Sequence, residues 1–406
     1  MRIGGSIVDV LEACSYPSID VDPFSEAYTS DPYPAHERLR RAGPIVWLPK
    51  WRVWAVARYD QVRAILNDPA TFGSGAGVGL ANFRVEKPWR SPSLLLETDP
   101  PDHTVNRAII TKVLSPVALR RLRERFDSEA DLFVDRLAGA GPFDAILDLA
   151  EAFPLKVFAD AVGIAEEGRE NLVAYGSMVF NTMGPRNDNY ICAMAHADRV
   201  TAWISHACKR ENLAPGGLGR DIYKAVDEGL VTAHDAGLIV RSFLSAGIDT
   251  TANGIANALV CFADNPEQWE QVREDPLLSR AAFEEVMRFE SPFQTFFRTA
   301  YRDTDFAGVR IRANDKILVS IGAANRDPAK WEDPDRFDIG RKTLGHVGFG
   351  VGIHACVGQM IARMEVESLF TALATKVRRI QIVGRPIRLR HNTLRGFQSL
   401  SAEFLT

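Results

Sequence analysis

The sequence predicts a mainly α-helical fold with small β-sheets, organised around one long central helix. Three observations lead to it. Apolar residues recur at helical spacing from Pro116 to about Glu211 and again from Thr232 to about Ala263. Strand-forming runs, aromatic and β-branched, are short and confined mainly to residues 40–60 and 299–320. Hydrophobic content of 46% and charged content of 25% belong to a folded globular chain rather than a disordered one. The 406 residues can bury a large core, and no Gly/Ser- or Pro-rich linker divides them, so residues 1–406 are expected to form a single domain.

In chain order, residues 1 to about 32 read as an irregular lead, and Asp31-Pro32-Tyr33-Pro34 opens a helix with Leu39 near its end. Ile45-Val46-Trp47-Leu48, a Pro49-Lys50 turn and Trp51-Arg52-Val53-Trp54-Ala55-Val56 predict a hairpin. Tyr59 to Leu66 predicts a helix stopped by Asn67-Asp68-Pro69. Residues 72–98 are glycine-rich and then irregular, and a loop of that length usually covers a site. Asp102 is expected to cap the helix that carries His103 and Arg107, four residues apart on one face. The helical tract from Pro116 breaks at Gly139-Ala140-Gly141-Pro142 and at Gly184-Pro185-Arg186-Asn187, and residues 212–219 form a loop.

Thr232 to about Ala263 predicts the longest helix, about 48 Å at a rise of about 1.5 Å per residue. Ala246-Gly247-Ile248-Asp249-Thr250-Thr251 lies in its middle. Gly, Asp and paired Thr are poor helix formers, and a Thr hydroxyl can take a carbonyl of the preceding turn. The helix is therefore expected to open there and leave room for a small molecule and water. Ala281 to Glu290 predicts another helix, Thr299 to Val319 short strands, and Ile380 to Thr406 strand and loop.

A formal charge of −4 gives no reason to expect a nucleic-acid partner. Met1 to Val10 lacks a basic region followed by a long apolar run, so no signal peptide or membrane anchor is expected, and the chain is read as a cytoplasmic monomer. Five cysteines (Cys14, Cys192, Cys208, Cys261, Cys356) show no C-x-x-C spacing, which argues against a disulfide framework and a structural zinc site.

Cys356 nevertheless stands in a distinctive stretch, Phe349-Gly350-Val351-Gly352-Ile353-His354-Ala355-Cys356-Val357-Gly358. A thiolate held against an apolar face needs backbone N–H donors and a helix N-terminus behind it. Val357 onward supplies such a helix, with Val357, Met360, Ile361, Met364, Phe370 and Leu373 near one face. Gly350 and Gly352 would let the loop turn tightly, and Gly358 would let backbone approach a flat ligand. An isolated cysteine is usually a small buried hydrophobe; this loop argues for a metal ligand instead.

The stretch resembles the haem-binding loop of cytochrome P450. The resemblance extends to Asp249-Thr250, to Glu285-x-x-Arg288 with Pro334-Asp335-Arg336-Phe337, and to His103, Arg107 and Arg298. It implies the fold of that family, with the long helix passing over haem b. Cys356 would be the axial iron ligand; Phe349, His354 and Gly358 would complete the haem loop, and His103, Arg107 and Arg298 would meet the propionates. Glu285, Arg288 and Arg336 would hold the fold. Asp249 and Thr250 would deliver protons to bound O₂. No flavin or nicotinamide motif occurs in the 406 residues, so electrons are expected from a [2Fe–2S] ferredoxin and an NAD(P)H-dependent reductase.

A closer similarity is to a bacterial subfamily of these enzymes that oxidises para-substituted benzoic acids, commonly by demethylating a 4-methoxy group. Its carriers are Glu86-Lys87-Pro88-Trp89-Arg90, Pro92-Ser93-Leu94, Val179-Phe180-Asn181, Val240-Arg241-Ser242 and Gln294-Thr295-Phe296-Phe297-Arg298-Thr299. An aromatic carboxylate needs a cation or several N–H and O–H donors at one end and flat apolar walls along its ring. Arg90, Ser93, Arg241 and Ser242 are expected to hold the carboxylate, with Ser245 nearby, and Phe180, Phe293, Phe296 and Ala246 to wall the ring. Two departures from the subfamily are Met183, where it carries phenylalanine, and Phe293, where it carries a smaller residue. They point to a changed para substituent or a cinnamate-length acid. The alternatives are a cytochrome P450 of another substrate class, such as terpenoid or macrolide, and a haem-thiolate sensor without turnover; Asp249 and Thr250 speak against the sensor.

Overall fold

A computed structural model describes residues 16–406. Met1 to Val10, read for the absence of a signal segment, and Cys14 lie outside the described residues. The irregular lead expected up to residue 32 is interrupted by a short helix, Glu26–Ser30, whose first turn is capped by the Ser25 hydroxyl. The hairpin forms with Trp47 opposite Trp54, but Trp51 and Arg52 belong to its turn and the second strand begins at Val53. Arg52 takes a positive φ of 52° there.

Val53–Val56 then pairs in parallel with Lys316–Ser320, which pairs with Thr295–Ala300, and Phe72–Gly73 closes the edge of this five-stranded sheet. A three-stranded sheet joins Phe143–Asp144 to the antiparallel pair Phe397–Leu405 and Arg379–Arg388. Helices fill the remainder, among them Pro116–Leu137, Ala152–Val162, Glu170–Asn181 and Leu278–Phe289. Both predicted breaks in the tract after Pro116 are present, and Gly163, left-handed at φ 92°, adds a further helix end. Among the described residues, no helix is long and apolar enough to cross a membrane.

Asp102 does not cap its helix. It is the first residue of Asp102–Val113, and Pro101 occupies the cap position without a side-chain bond. Its charge still lies in the first turn, where it favours the helix dipole.

The predicted long helix starts at a capping box formed by Thr232 and Asp235 but is interrupted at Ile248, giving Ala233–Gly247 and Asp249–Asp264. The cause is local. The Thr250 hydroxyl takes the Ala246 carbonyl at 2.8 Å and the Thr251 hydroxyl takes that of Gly247 at 3.2 Å. A Cβ on Gly247 would collide with the Phe158 ring, so the close approach of Ala152–Val162 requires glycine at this point.

Glu285 and Arg288 form a pair fully removed from solvent, with Nε to Oε2 and Nη2 to Oε1 both at 2.7 Å. The third side chain is not Arg336, as expected, but Arg341, whose Nε lies 3.3 Å from Glu285 Oε1. Arg336 offers only its carbonyl to Arg288, while its own guanidinium, 67% exposed, pairs with Asp338 two residues on. The nearer carboxylate satisfies it, leaving the buried position to the arginine the chain turns back.

Candidate active site

A cavity opens where the central helix breaks. Ser242, Phe243, Ser245, Ala246, Gly247, Thr250 and Thr251 form one side, and Phe349, Gly350, His354, Cys356 and Gly358 the opposite side. Arg90, Ser93, Leu95, Leu96, Phe180, Phe293 and Phe296 add to the lining. Among the described cysteines, Cys356 alone lines it.

The cysteine loop is built from turns. Gly350 and Gly352 adopt positive φ of 67° and 73°, which an L side chain resists, and the Cys356 N–H donates to the Phe349 carbonyl at 2.7 Å. Gly358 caps the helix Gln359–Lys376. Burial pushes the Cys356 thiol up, while the Gly358 N–H, the charges of Arg107 and Arg363, and the Gln359 N–H all pull the other way. These two N–H groups are the donors a thiolate ligand requires. Gly358 serves through its N–H, and of its helix Ile361 and Met364 are buried whereas Met360 is 44% exposed. Phe349 is held by the Arg363 guanidinium, 4.3 Å above its ring.

At the cavity rim the rings of His103 and His354 lie 4.3 Å apart, and Nε2 of each is buried without a partner. Burial, reinforced by Arg298 and His103, drives His354 down to about 3; burial and Arg107 lower His103. Arg298 does not line the cavity wall but stands behind His354, buried, donating from Nη1 only to the Phe297 carbonyl at 2.9 Å. Burial draws its pKa down to about 10 despite Asp99. Buried cationic and imidazole groups without protein acceptors are costly unless a ligand serves them. A pair of carboxylates would do so. Since His354 Nδ1 faces the Leu95 carbonyl at 3.2 Å, a carboxylate at Nε2 would be met by the imidazolium, a donor at both nitrogens. Arg107 reaches the cysteine loop itself, donating to the Ala355 carbonyl at 2.6 Å. A flat apolar group with two carboxylates and a metal facing Cys356 Sγ fits these residues, and haem is such a group.

The opposite end carries the polar residues expected for an acid. Ser93 Oγ donates to Ser242 Oγ at 3.0 Å, Ser242 Oγ to the Leu238 carbonyl at 2.8 Å, and Ser245 Oγ to the Ser242 carbonyl at 3.1 Å. Arg90 lines the cavity with a buried Nε that has no partner. The aromatic wall is ordered: Phe293 and Phe296 stack at 4.0 Å between centroids, and Phe180 meets Phe293 edge-on at 5.4 Å.

Besides Arg298 and His103, the expected site residues Arg241, Met183 and Asp249 also do not line the cavity. Arg241 donates to the Ser91 carbonyl at 2.7 Å, tying the 72–98 loop to the central helix, and does not line the cavity. The loop crosses above that helix and offers carbonyls closer than the cavity. Met183 faces an adjoining outer groove with Lys87, Trp89 and Arg186, because its backbone carbonyl is bound by the Leu80 N–H and turns the residue away. Asp249 is buried one residue before Thr250 but packs toward Gly176, where a Cβ would strike its carboxyl. Burial, with Glu151 adding repulsion, holds its pKa well above the usual carboxylate range. Phe243 and Leu95 were missed. Phe243 sits three residues before Ala246 on the same helix face, and Leu94-Leu95-Leu96 is an apolar run within a polar loop; both signals were available.

The description "Cytochrome P450" belongs to the family model that matches residues 220–379. The chain is 54% identical over 385 residues to cytochrome P450 CYP199A2 of Rhodopseudomonas palustris, covering 95% of this chain and 93% of that protein. It is 31% identical to cytochrome P450 107B1 of Saccharopolyspora erythraea, covering 94% and 97%. Among solved structures, CYP109Q5 from Chondromyces apiculatus matches with TM-score 0.83 and 29% identity over 96% of this chain and 99% of that one. Cytochrome P450 CREJ in complex with (4-ethylphenyl) dihydrogen phosphate matches with TM-score 0.85 and 26% identity over 94% and 98%.

Proposed function

The chain belongs to the cytochrome P450 family, and on that premise we propose that this monooxygenase oxidises a small aromatic carboxylic acid, with a para-substituted benzoate as the best fit. The haem, held by a cysteine thiolate in this family, supplies O₂ binding and reductive activation when bound.

One observation carries the substrate reading. Two buried serine hydroxyls 3.0 Å apart and an unpartnered guanidinium Nε stand at one end of an aromatic-walled cavity whose other faces present Thr250 and Cys356. Arg90 Nε–H and the Ser93 hydroxyl, which turns its one O–H from Ser242 Oγ to the acid, bind the carboxylate, while Ser242, its own O–H donated to the Leu238 carbonyl, braces Ser93. Phe180, Phe293, Phe296 and Ala246 fix the ring plane, which aims the para group at the space between Thr250 and the cysteine loop. Phe293, stacked on Phe296 at 4.0 Å, adds bulk to the aromatic wall. Cys356 is the iron ligand, Phe349, His354 and Gly358 form the haem loop, and His103, His354, Arg107 and Arg298 hold the carboxylate edge of the cofactor. Thr250 would hold a proton on the helix side of the cavity, across from the cysteine loop, and Asp249, buried one residue before it, would resupply that hydroxyl. The 4-ethylphenyl phosphate in the CREJ complex is also a para-substituted aryl anion, which supports the class. One domain carries the reaction, and a [2Fe–2S] ferredoxin with its reductase brings the electrons.

The test is titration with 4-methoxybenzoate while following the haem Soret band, then turnover with a ferredoxin system and product analysis. A shift toward high spin and release of 4-hydroxybenzoate with formaldehyde are expected. An unmoved Soret band across a panel of para-substituted benzoates overturns the reading.

A further inference from the structure

We propose that Glu97, a residue that borders the outer groove rather than the cavity, sets the acid grip to accept a single negative charge. The inference rests on the aromatic-acid reading above and adds to it a residue that selects among anions. Glu97 Oε2 lies 3.0 Å from Arg90 Nη1 and accepts the Ser93 N–H at 2.7 Å, while the Glu97 N–H donates to the Ser93 carbonyl at 2.9 Å. Both side chains of the ion pair are nearly removed from water, at 10% and 5% exposure. Arg90 borders both the cavity and the outer groove, so it stands between Glu97 and any anion bound at Ser93.

The charge count gives Glu97 its consequence. Arg90 and Arg241 are the cations behind the two serines, and both lie close enough to Glu97 to feel its charge. Those two guanidiniums and the Glu97 carboxylate leave one positive charge, which one carboxylate ligand neutralises; Lys316, which also feels the Glu97 charge, is drawn down to about 7 by burial and spends its N–H groups on the Gly77 carbonyl and Thr299 Oγ1. A dianion such as an aryl phosphate would leave an uncompensated negative charge in a site of low exposure, which is costly. Glu97 and the Ser91 carbonyl take Arg90 Nη1 and leave its Nε side for the ligand. Glu97 thus acts through Arg90 and Ser93. It is a positioning residue that does not touch the substrate.

The experiment uses the full-length holoprotein and three probes with one para group: 4-ethylbenzamide (neutral), 4-ethylbenzoate (one charge) and 4-ethylphenyl phosphate (two charges). Each is titrated against wild type and Glu97→Gln by the Soret shift, or by displacement of 4-ethylbenzoate where the probe itself shifts nothing. Glutamine can still accept the Ser93 N–H, so the ratio of wild-type to variant Kd cancels probe size and reads charge. The expected ratios are within about twofold for the amide, about tenfold tighter for the benzoate and about a hundredfold tighter for the phosphate. Equal ratios for all three, or weaker acid binding, would show a merely structural role and overturn the proposal.

If Glu97→Gln yields no holoprotein, Arg90→Gln is compared with Arg90→Gln/Glu97→Gln, which removes the buried pair as a unit. The double variant should recover acid binding lost in the single one, and equality of the two overturns the proposal. A wild type that ignores every acid defeats the substrate reading, and this inference with it; a wild type that binds the acids but shows flat ratios defeats this inference alone.

Discussion

Replacement of Arg288 by lysine should unfold much of the protein before it touches the chemistry. Arg288 uses each of its five N–H groups: two toward Glu285 at 2.7 Å, two toward the Asn325 and Pro334 carbonyls at 2.9 and 2.8 Å, and one toward the Arg336 carbonyl at 3.2 Å. Lysine offers three N–H groups on a single nitrogen and no planar fork, so at least two of those acceptors lose their donor. Each buried acceptor left unserved costs about 1–3 kcal/mol, which makes the loss about 2–6 kcal/mol. A domain has about 5–15 kcal/mol in all, so the variant stands near the edge of folding. Urea unfolding of Arg288→Lys, followed by tryptophan fluorescence and by the carbon-monoxide difference spectrum, measures the loss. The charge and the helix position survive the substitution, so the experiment isolates hydrogen-bond geometry. A destabilisation under about 1 kcal/mol, with full haem content, would refute the reasoning.

Cys356→Ser should abolish the red-shifted Soret band of the reduced carbon-monoxide complex while far-UV circular dichroism stays close to wild type; an unchanged band would remove Cys356 from the iron. Thr250→Ala should keep 4-methoxybenzoate affinity within about threefold, because Thr250 spends its hydroxyl on the Ala246 carbonyl and not on the acid end, yet divert NADH consumption to hydrogen peroxide. Product yield per NADH checks it, and unchanged coupling would sink the role. His391 accepts the Thr393 and Leu394 N–H groups on Nδ1, both at 3.1 Å, and burial drives its pKa down to about 3. Its folded pKa lies below the unfolded value, so the stability it contributes is complete above about pH 6.5 and falls as pH drops toward 3, by about tenfold in the folding constant per unit. Urea midpoints between pH 7 and 4.5 should decline less steeply in His391→Asn, and an identical slope would show that His391 does not titrate on unfolding.

Much local chemistry carried by neighbours along the chain was legible in the sequence, although Asp102 is the first residue of its helix and not its cap, and Trp51 and Arg52 belong to the hairpin turn. The glycines around Cys356, the capping box at Thr232, the hydroxyls that open the central helix and the i, i+3 spacing of Glu285 and Arg288 all act within about one helical turn or one loop. Their residue types and spacing therefore specify their geometry. What the tertiary structure decided is which distant segments share a polar group. His103 meets His354, Arg341 rather than Arg336 reaches Glu285, Arg241 binds the Ser91 carbonyl instead of the cavity, and Met183 turns to the outer groove. Glu97 acquired its place beside Arg90 in the same way. Periodicity reports which face of an element is apolar. A buried donor takes the nearest acceptor that packing brings to it, and that neighbour is set by the path of the whole chain.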